Sequence, residues 1–418
     1  MAELDSILLA SSSSTQQQER GVNSNCDDFR VVAPSHHSRA SASASASASA
    51  SASASSPPPA TFLPVPRSTT MSGEEVILDQ DGELVLRIGA ETDSDAPCDF
   101  RVDPFTLRRT SGVFKSMLFG PWAESKPTDG SQWIVDLPED EPHAFEALLG
   151  IVHNRYKLVP VTMTMDLLFD MLVICDKYNM TYVITPWATS WMRDVEAACK
   201  AKETKSPKMA YIAWELGNEL LFAAEVRKFI FESYLESADS NHLLWDGSGE
   251  AAETYDLTSL CHLGPPDLMK RVIELRLSLI QVILGFLQNE IKSRTGPGTG
   301  GIPAKHACIE PGYYSAGFRC DDIILGGIWR GVMSNEKLNG IDSKNAGQVC
   351  LSANVLAVEF RGVFKHLYTY GDSHRDCIPA AKFEKFIQNI WSHPQWKDFL
   401  RQGDKDRMAQ QREKIQAL

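Results

Sequence analysis

Four residues late in the chain are of the types that bind soft metal ions: His374 and Cys377, spaced His-x-x-Cys, with Cys308 and Cys320 upstream. Zinc takes four such ligands in a tetrahedron, with sulfur at roughly 2.3 Å, and a His-x-x-Cys pair supplies half of that set from a single turn of chain. Cys308 and Cys320 stand far apart, unlike the tight Cys-x-x-Cys knuckle that commonly forms the other half. Two readings therefore stand. One is a structural zinc, which requires the three sulfurs to lie within about 6 Å of one another. The other is a set of buried, unpaired thiols beside a histidine on the surface.

No residue is assigned to catalysis. Nucleophilic chemistry needs Cys or Ser within reach of a positioned base, and Cys175 and His153 fall in helical core positions, where Cys acts as a small hydrophobe. Neither Gly-x-Ser-x-Gly nor His-Glu-x-x-His occurs. The run Gly296-Pro297-Gly298-Thr299-Gly300-Gly301 lacks the Gly-Lys-Ser/Thr ending of a phosphate loop and is interrupted by Pro, so it reads as a linker. The glycosylation triplet Asn179-Met180-Thr181 is discounted, because it follows a helix and the chain shows no secretory signal.

Charge and cysteine usage narrow the partners. The 418 residues carry 41 Lys+Arg against 54 Asp+Glu, a formal net charge of -13, with no Lys/Arg run to restore the basic field that phosphate backbones require. Direct nucleic-acid binding is not expected. Nine cysteines, an odd and scattered set, follow an N-terminus without a basic n-region, which points to free thiols in a reducing compartment. No apolar run reaches membrane-spanning length. A cytoplasmic or nuclear location without membrane contact follows as the expectation.

Four regions are expected along the chain. Residues 1–72 are Ser/Gln/Ala-rich, with strict Ala-Ser alternation from Ala40 to Ser55, and bury too little apolar area to offset backbone ordering. Residues 76–192 alternate strands and helices. Strand-like pieces flank Asp79-Gln80-Asp81-Gly82, a short strand fits Asp99 to Val102, and another alternates through Trp133, Val135 and Leu137. Asp103-Pro104 starts a helix whose stripe is Leu107, Ser111, Phe114, Met117 and Leu118, ended by Gly120-Pro121. Further helices follow from Pro142 and from Met165 to Tyr178. Residues 193–294 read as helical, with Tyr211, Trp214, Leu220, Leu221, Phe229, Ile230 and Tyr234 as core, a polar break from Ala238 to Thr254, and a long amphipathic helix from Pro266. Residues 302–418 read as mixed and mainly helical, with Arg401 to Lys414 as a solvated helix end.

The segments Asp81-Gly82-Glu83-Leu84-Val85-Leu86-Arg87-Ile88-Gly89, Leu107-x-x-x-Ser111-x-x-Phe114-x-x-Met117-Leu118, Val135-Asp136-Leu137-Pro138-Glu139-Asp140-x-Pro142-x-Ala144-Phe145 and Cys175-Asp176-Lys177-Tyr178-Asn179-Met180 give residues 79–192 a resemblance to the BTB/POZ fold. The fold class expected is α+β, a BTB/POZ-like small sheet with a helical cluster, followed by a mostly α-helical C-terminal region. The latter is similar in layout to the C-terminal regions of BTB proteins of filamentous fungi, through Cys320-Asp321-Asp322-x-x-Leu325-Gly326 and His374-x-x-Cys377.

The resemblance implies protein binding without enzyme activity, as a scaffold or as a substrate adaptor for cullin ubiquitin ligases. Two departures limit it. Cullin-binding members tend to carry hydrophobic-x-Glu where this chain reads Met117-Leu118-Phe119, so cullin is weakened as a partner. Dimerising members often place a helix and a swapped strand ahead of the first strand, and the Pro-rich stretch from Pro57 to Arg67 does not form that helix. The oligomeric state stays open. The expected partner surface is Met117, Leu118, Phe119, Trp122 and Glu124, since a large aromatic after a capped helix is a common interface anchor. The alternative function is a metal-stabilised nuclear regulatory protein whose BTB-like unit mediates oligomerisation.

Overall fold

The computed structural model describes residues 75–92, 97–249, 253–295, 307–309, 314–341, 345–396 and 399–416. The Ser/Ala-rich arm expected at 1–72 and the Gly-rich linker at 296–301 lie outside these residues. Among the described residues the architecture is α+β, with twelve α-helices and two small sheets. The chain divides into two compact units, residues 75–159 and residues 160–416.

In the first unit, β1 (Val76–Ile77), β2 (Leu84–Ile88), β3 (Cys98–Val102) and β4 (Trp133–Leu137) form one sheet in the order β1-β3-β2-β4. β2 runs antiparallel to β3 and parallel to β4, with Leu86 opposite Phe100 on one side and Val135 on the other. The turn at Asp81-Gly82 passes so close to β3 that a Cβ on Gly82 would sit 2.6 Å from the Val102 carbonyl oxygen, which only glycine tolerates.

α1 (Pro104–Thr110) and α2 (Gly112–Phe119) replace the single helix expected over this span. Asp103 caps α1 by accepting from the Phe105 and Thr106 N–H groups at 3.0 and 2.9 Å. Ser111, expected as a small residue on a continuous stripe, is extended (φ -141°, ψ 124°) and breaks the helix. Its Oγ accepts from Phe114 N–H at 3.0 Å, so one residue ends α1 and caps α2. α3 (Pro142–Val152) closes the core, where Phe145 meets Phe114 edge to face at 6.4 Å.

The second unit holds α4 (Met165–Lys177), α5 (Thr185–Lys202), α6 (Lys208–Glu215), α7 (Glu219–Glu232), α8 (Leu268–Thr295), α9 (Tyr314–Ser334), α10 (Ala353–Lys365), α11 (Ala380–Ser392) and α12 (Gln402–Gln416). The compact division falls at 159/160, not at the expected 192. α4 joins the later helices because Phe169 packs edge to face on Tyr211 of α6 at 5.3 Å. The expected regions 193–294 and 302–418 likewise share one core. Phe286 of α8 lies 5.7 Å from Phe364 of α10 and 5.0 Å from Phe383 of α11, and the buried Arg276 donates to the Ser233, Val349 and Leu351 carbonyls. By length and composition α8 would also suit a membrane, yet half of its apolar window is buried inside the protein.

Three further expectations are corrected. The polar break at 238–254 holds the central strand of a second sheet, β6 (Leu243–Asp246), which pairs with β5 (Tyr234–Leu235) before the break and β7 (Thr254–Asp256) at its end, and Trp245 is buried against Phe229 at 5.2 Å. Leu220 is not core but 86% exposed. α12 is not a solvated end: Arg407 reaches Glu215 at 2.8 Å and Asp176 at 3.2 Å, Gln411 reaches Glu215 at 2.9 Å, and Arg412 donates twice to the Gly217 carbonyl. Gly217 (φ +68°) lies so close under the Met408 carbonyl that a side chain there would collide with it.

Candidate metal centre

Three separate pieces of the second unit deliver the four expected ligands to one place. Cys320 sits in the second turn of α9, fully buried. His374 and Cys377 lie on the 3-10 turn Asp372–Cys377, where residues three apart eclipse one another and so present their side chains together. Cys308 arrives on the segment 307–309.

All four ligand atoms lie within 4.8 Å of one another and all four residues are buried. The expectation of a surface histidine is thereby corrected: His374 is 7% exposed, with the Tyr370 ring edge-on at 5.7 Å. A tetrahedron with sulfur at roughly 2.3 Å and nitrogen at roughly 2.0 Å has S···S edges of about 3.8 Å and S···N edges of about 3.5 Å. Cys308 Sγ lies 3.6 Å from Cys377 Sγ and 3.2 Å from His374 Nδ1, and Cys377 Sγ lies 4.0 Å from the same nitrogen. These edges fit a Cys3His ion, and the sulfur spacing meets the condition set by the sequence.

The electrostatics agree with that fit. Burial, with the nearby Cys377 and Cys308 sulfurs adding to it, pushes the Cys320 thiol up to about 12, so a Cys320 thiolate without a cation beside it is disfavoured. A divalent ion reverses that order and takes thiolate sulfur directly.

A buried ionic network borders the centre, and the sequence reading missed it. Arg294 of α8 pairs with Glu290 at 2.5 Å and faces Asp321 at 3.6 Å, while Lys382 of α11 reaches Glu290 at 2.6 Å. Asp321 Oδ2 accepts from Ala307 N–H at 2.7 Å, and Arg294 donates to the Cys377 carbonyl at 3.2 Å. The available signals were the i,i+4 spacing of Glu290 and Arg294 and the adjacency of Asp321 to Cys320.

The expected partner surface lies in the first unit and is not uniform. Trp122 is 60% and Phe119 38% exposed, and Met117 and Glu124 are half-buried. Leu118 is removed from the surface set, because at 1% exposure it points into the core. Phe105, not anticipated, is 49% exposed and 5.3 Å from the Phe119 ring, over which the Arg108 guanidinium sits at 4.9 Å.

Neither Cys175 nor His153 is poised for nucleophilic chemistry. Burial, with help from Glu215 and Asp176, pushes the Cys175 thiol far up. Burial also lowers the basicity of His153, whose Nε2 accepts from Asp103 N–H at 3.2 Å while Nδ1 lies 3.1 Å from the Leu149 carbonyl, so the neutral ring is held in place. Compared with protein-family models, curated proteins and solved structures, the chain gives no match.

Proposed function

We propose that this is a non-enzymatic, intracellular protein-interaction protein. A BTB/POZ-like unit supplies its binding surface, and a structural zinc pins its helical body. The segments that carry the BTB/POZ resemblance support the first part by their order: strand β2, the pair α1 and α2, the passage from β4 into α3, and the end of α4. The observation that carries the interaction reading is the exposure of the paired Phe105 and Phe119 rings and of Trp122, three residues after Phe119. Large aromatics that water leaves accessible at the end of a capped helix are common anchors of protein interfaces.

An affinity pull-down comparing the wild type with Phe119→Ala/Trp122→Ala tests it. Loss of captured proteins is expected, and recovery of cullin among them would establish the adaptor role that Met117-Leu118-Phe119, lacking a Glu, weakens. An unchanged partner set overturns the choice of surface. Retention on DNA that falls as salt rises would favour the nuclear regulatory alternative instead.

The zinc reading rests on the convergence of four buried ligands. Cys3His fills a tetrahedron and leaves no open position for a substrate, which marks a structural and not a catalytic site. When bound, the ion supplies a fixed charge that holds three thiolates and a neutral imidazole together. Elemental analysis of the purified protein is expected to find one zinc per chain, and absence of stoichiometric metal overturns this part.

A further inference from the structure

We propose that Asp321 and Arg294 are positioning residues of the metal centre, one buried ion pair that fixes the backbone beside three of its four ligands. The inference rests on the zinc reading above. Asp321 follows the ligand Cys320 on α9. Its Oδ2 accepts from the N–H of Ala307, the residue before the ligand Cys308, at 2.7 Å. Arg294 Nη2 donates to the carbonyl of the ligand Cys377 at 3.2 Å. Two side chains, one on α8 and one on α9, thus tie the segment 307–309 and the turn Asp372–Cys377 to the helices beside them.

The alternative role for these charges is to cement α8 against α11 through Glu290 and Lys382. Two features favour positioning. Among the described residues Asp321 pairs with neither Glu290 nor Lys382, and its Oδ2 accepts from the backbone beside Cys308. The Asp321 Oδ1 and Arg294 Nε atoms face each other at 3.6 Å, both buried and neither completing a hydrogen bond among the described residues. The pair therefore has room to tighten when the ligands draw in around an ion. Groups one step outside a metal's ligands set its affinity by holding those ligands still, and losing one weakens binding by about 10- to 100-fold.

The test uses the full chain loaded with zinc and titrated with a chromogenic chelator, and the same chain loaded with cobalt(II), whose thiolate charge-transfer and d–d bands report the ligand geometry. Asp321→Ala and Arg294→Met are each expected to weaken metal binding by about 10- to 100-fold and to alter the cobalt bands. Asp321→Asn, which keeps an acceptor for Ala307 N–H, is expected to lose less than Asp321→Ala. Arg276→Met serves as the control. It removes a buried arginine of the same unit whose partners are Ser233, Val349 and Leu351, so it should lower thermal stability and leave both metal readouts unchanged.

Wild-type affinity and unaltered cobalt bands in Asp321→Ala and Arg294→Met would overturn the inference while leaving the zinc reading intact. A wild type that binds neither metal would overturn both. Should Arg294→Met fail to fold, the ordering of Asp321→Ala below Asp321→Asn decides the matter, and equal affinities for those two would count against positioning.

Discussion

The two units are held by different physics. In residues 75–159 the core is apolar, with Leu84, Leu86, Phe100, Val102, Phe114 and Phe145 buried on strands and helices, and the long-range polar ties, Asp103 N–H to His153 and Arg155 to the Leu78 carbonyl, are only part-buried. In residues 160–416 an equally apolar interior is crossed by polar ties between segments far apart in sequence. Arg276 reaches Val349, Arg407 reaches Glu215, Arg294 reaches Cys377, and four metal-ligand side chains converge. A buried polar group must be partnered or it destabilises the fold. The second unit therefore depends on a few specific pairings, where the first depends on the sum of many interchangeable ones.

The contrast is most sharply tested by removing metal. A chelator, or Cys320→Ser with Cys377→Ser, is expected to destabilise the second unit by upwards of about 5 kcal/mol. Hydrogen exchange should locate the loss in α9 and the turn Asp372–Cys377 and leave the amides of β2 to β4 protected. Equal deprotection of that sheet would break the comparison. Phe114→Ala is the converse experiment. Truncating a fully buried ring costs about 3 kcal/mol or somewhat more, expected in the first unit with zinc content unchanged, as read by denaturant titration and elemental analysis.

Arg407→Met probes a polar tie and carries a pH signature. Burial raises the Glu215 carboxyl above its usual range, with Asp176 adding to the rise and Arg407 opposing it. Loss of the arginine should cost about 2 kcal/mol at neutral pH, less than a fully buried pair because Arg407 is itself partly exposed. A carboxyl whose folded pKa is raised takes up its proton in the folded state first, so folding gains stability as pH falls through that value. The deficit of Arg407→Met should therefore shrink on acidification from neutral toward the ordinary carboxylate range. A deficit independent of pH would show that Glu215 is not the group left unpaired. Ser111→Ala is the smallest effect, about 1 kcal/mol, and should fray α2 without touching the second unit.

The first unit was more legible than the second for the same reason. Alternation marked β2, β3 and β4, and Asp103-Pro104 marked the start of α1, because these signals are local. Ser111 misled because its small size suits a helical stripe while its hydroxyl serves equally well as a cap. β6 was hidden because only Leu243 and Trp245 point inward from a four-residue strand. α12 was hidden because its buried apolar residues are only Met408 and Ile415, and hydropathy does not register the ties made by Arg407, Gln411 and Arg412. At the metal centre His374 and Cys377 were visible as a spaced pair, and Cys308 and Cys320 only by residue type. Arg294 and Asp321 carried no motif at all, since their role exists only once α8, α9 and the Asp372–Cys377 turn are in place.

The separation of the ligands also bears on the order in which the molecule is assembled. Cys308 lies 69 residues before Cys377, and closing a chain loop of that size from the unfolded state costs on the order of 4 kcal/mol of entropy. The His374 and Cys377 pair lies within one 3-10 turn, but the full ligand set requires that turn, the segment 307–309 and α9 to come together. Coordination by all four ligands would therefore follow the packing of these pieces, and a metal bound there would oppose the reopening of that long loop.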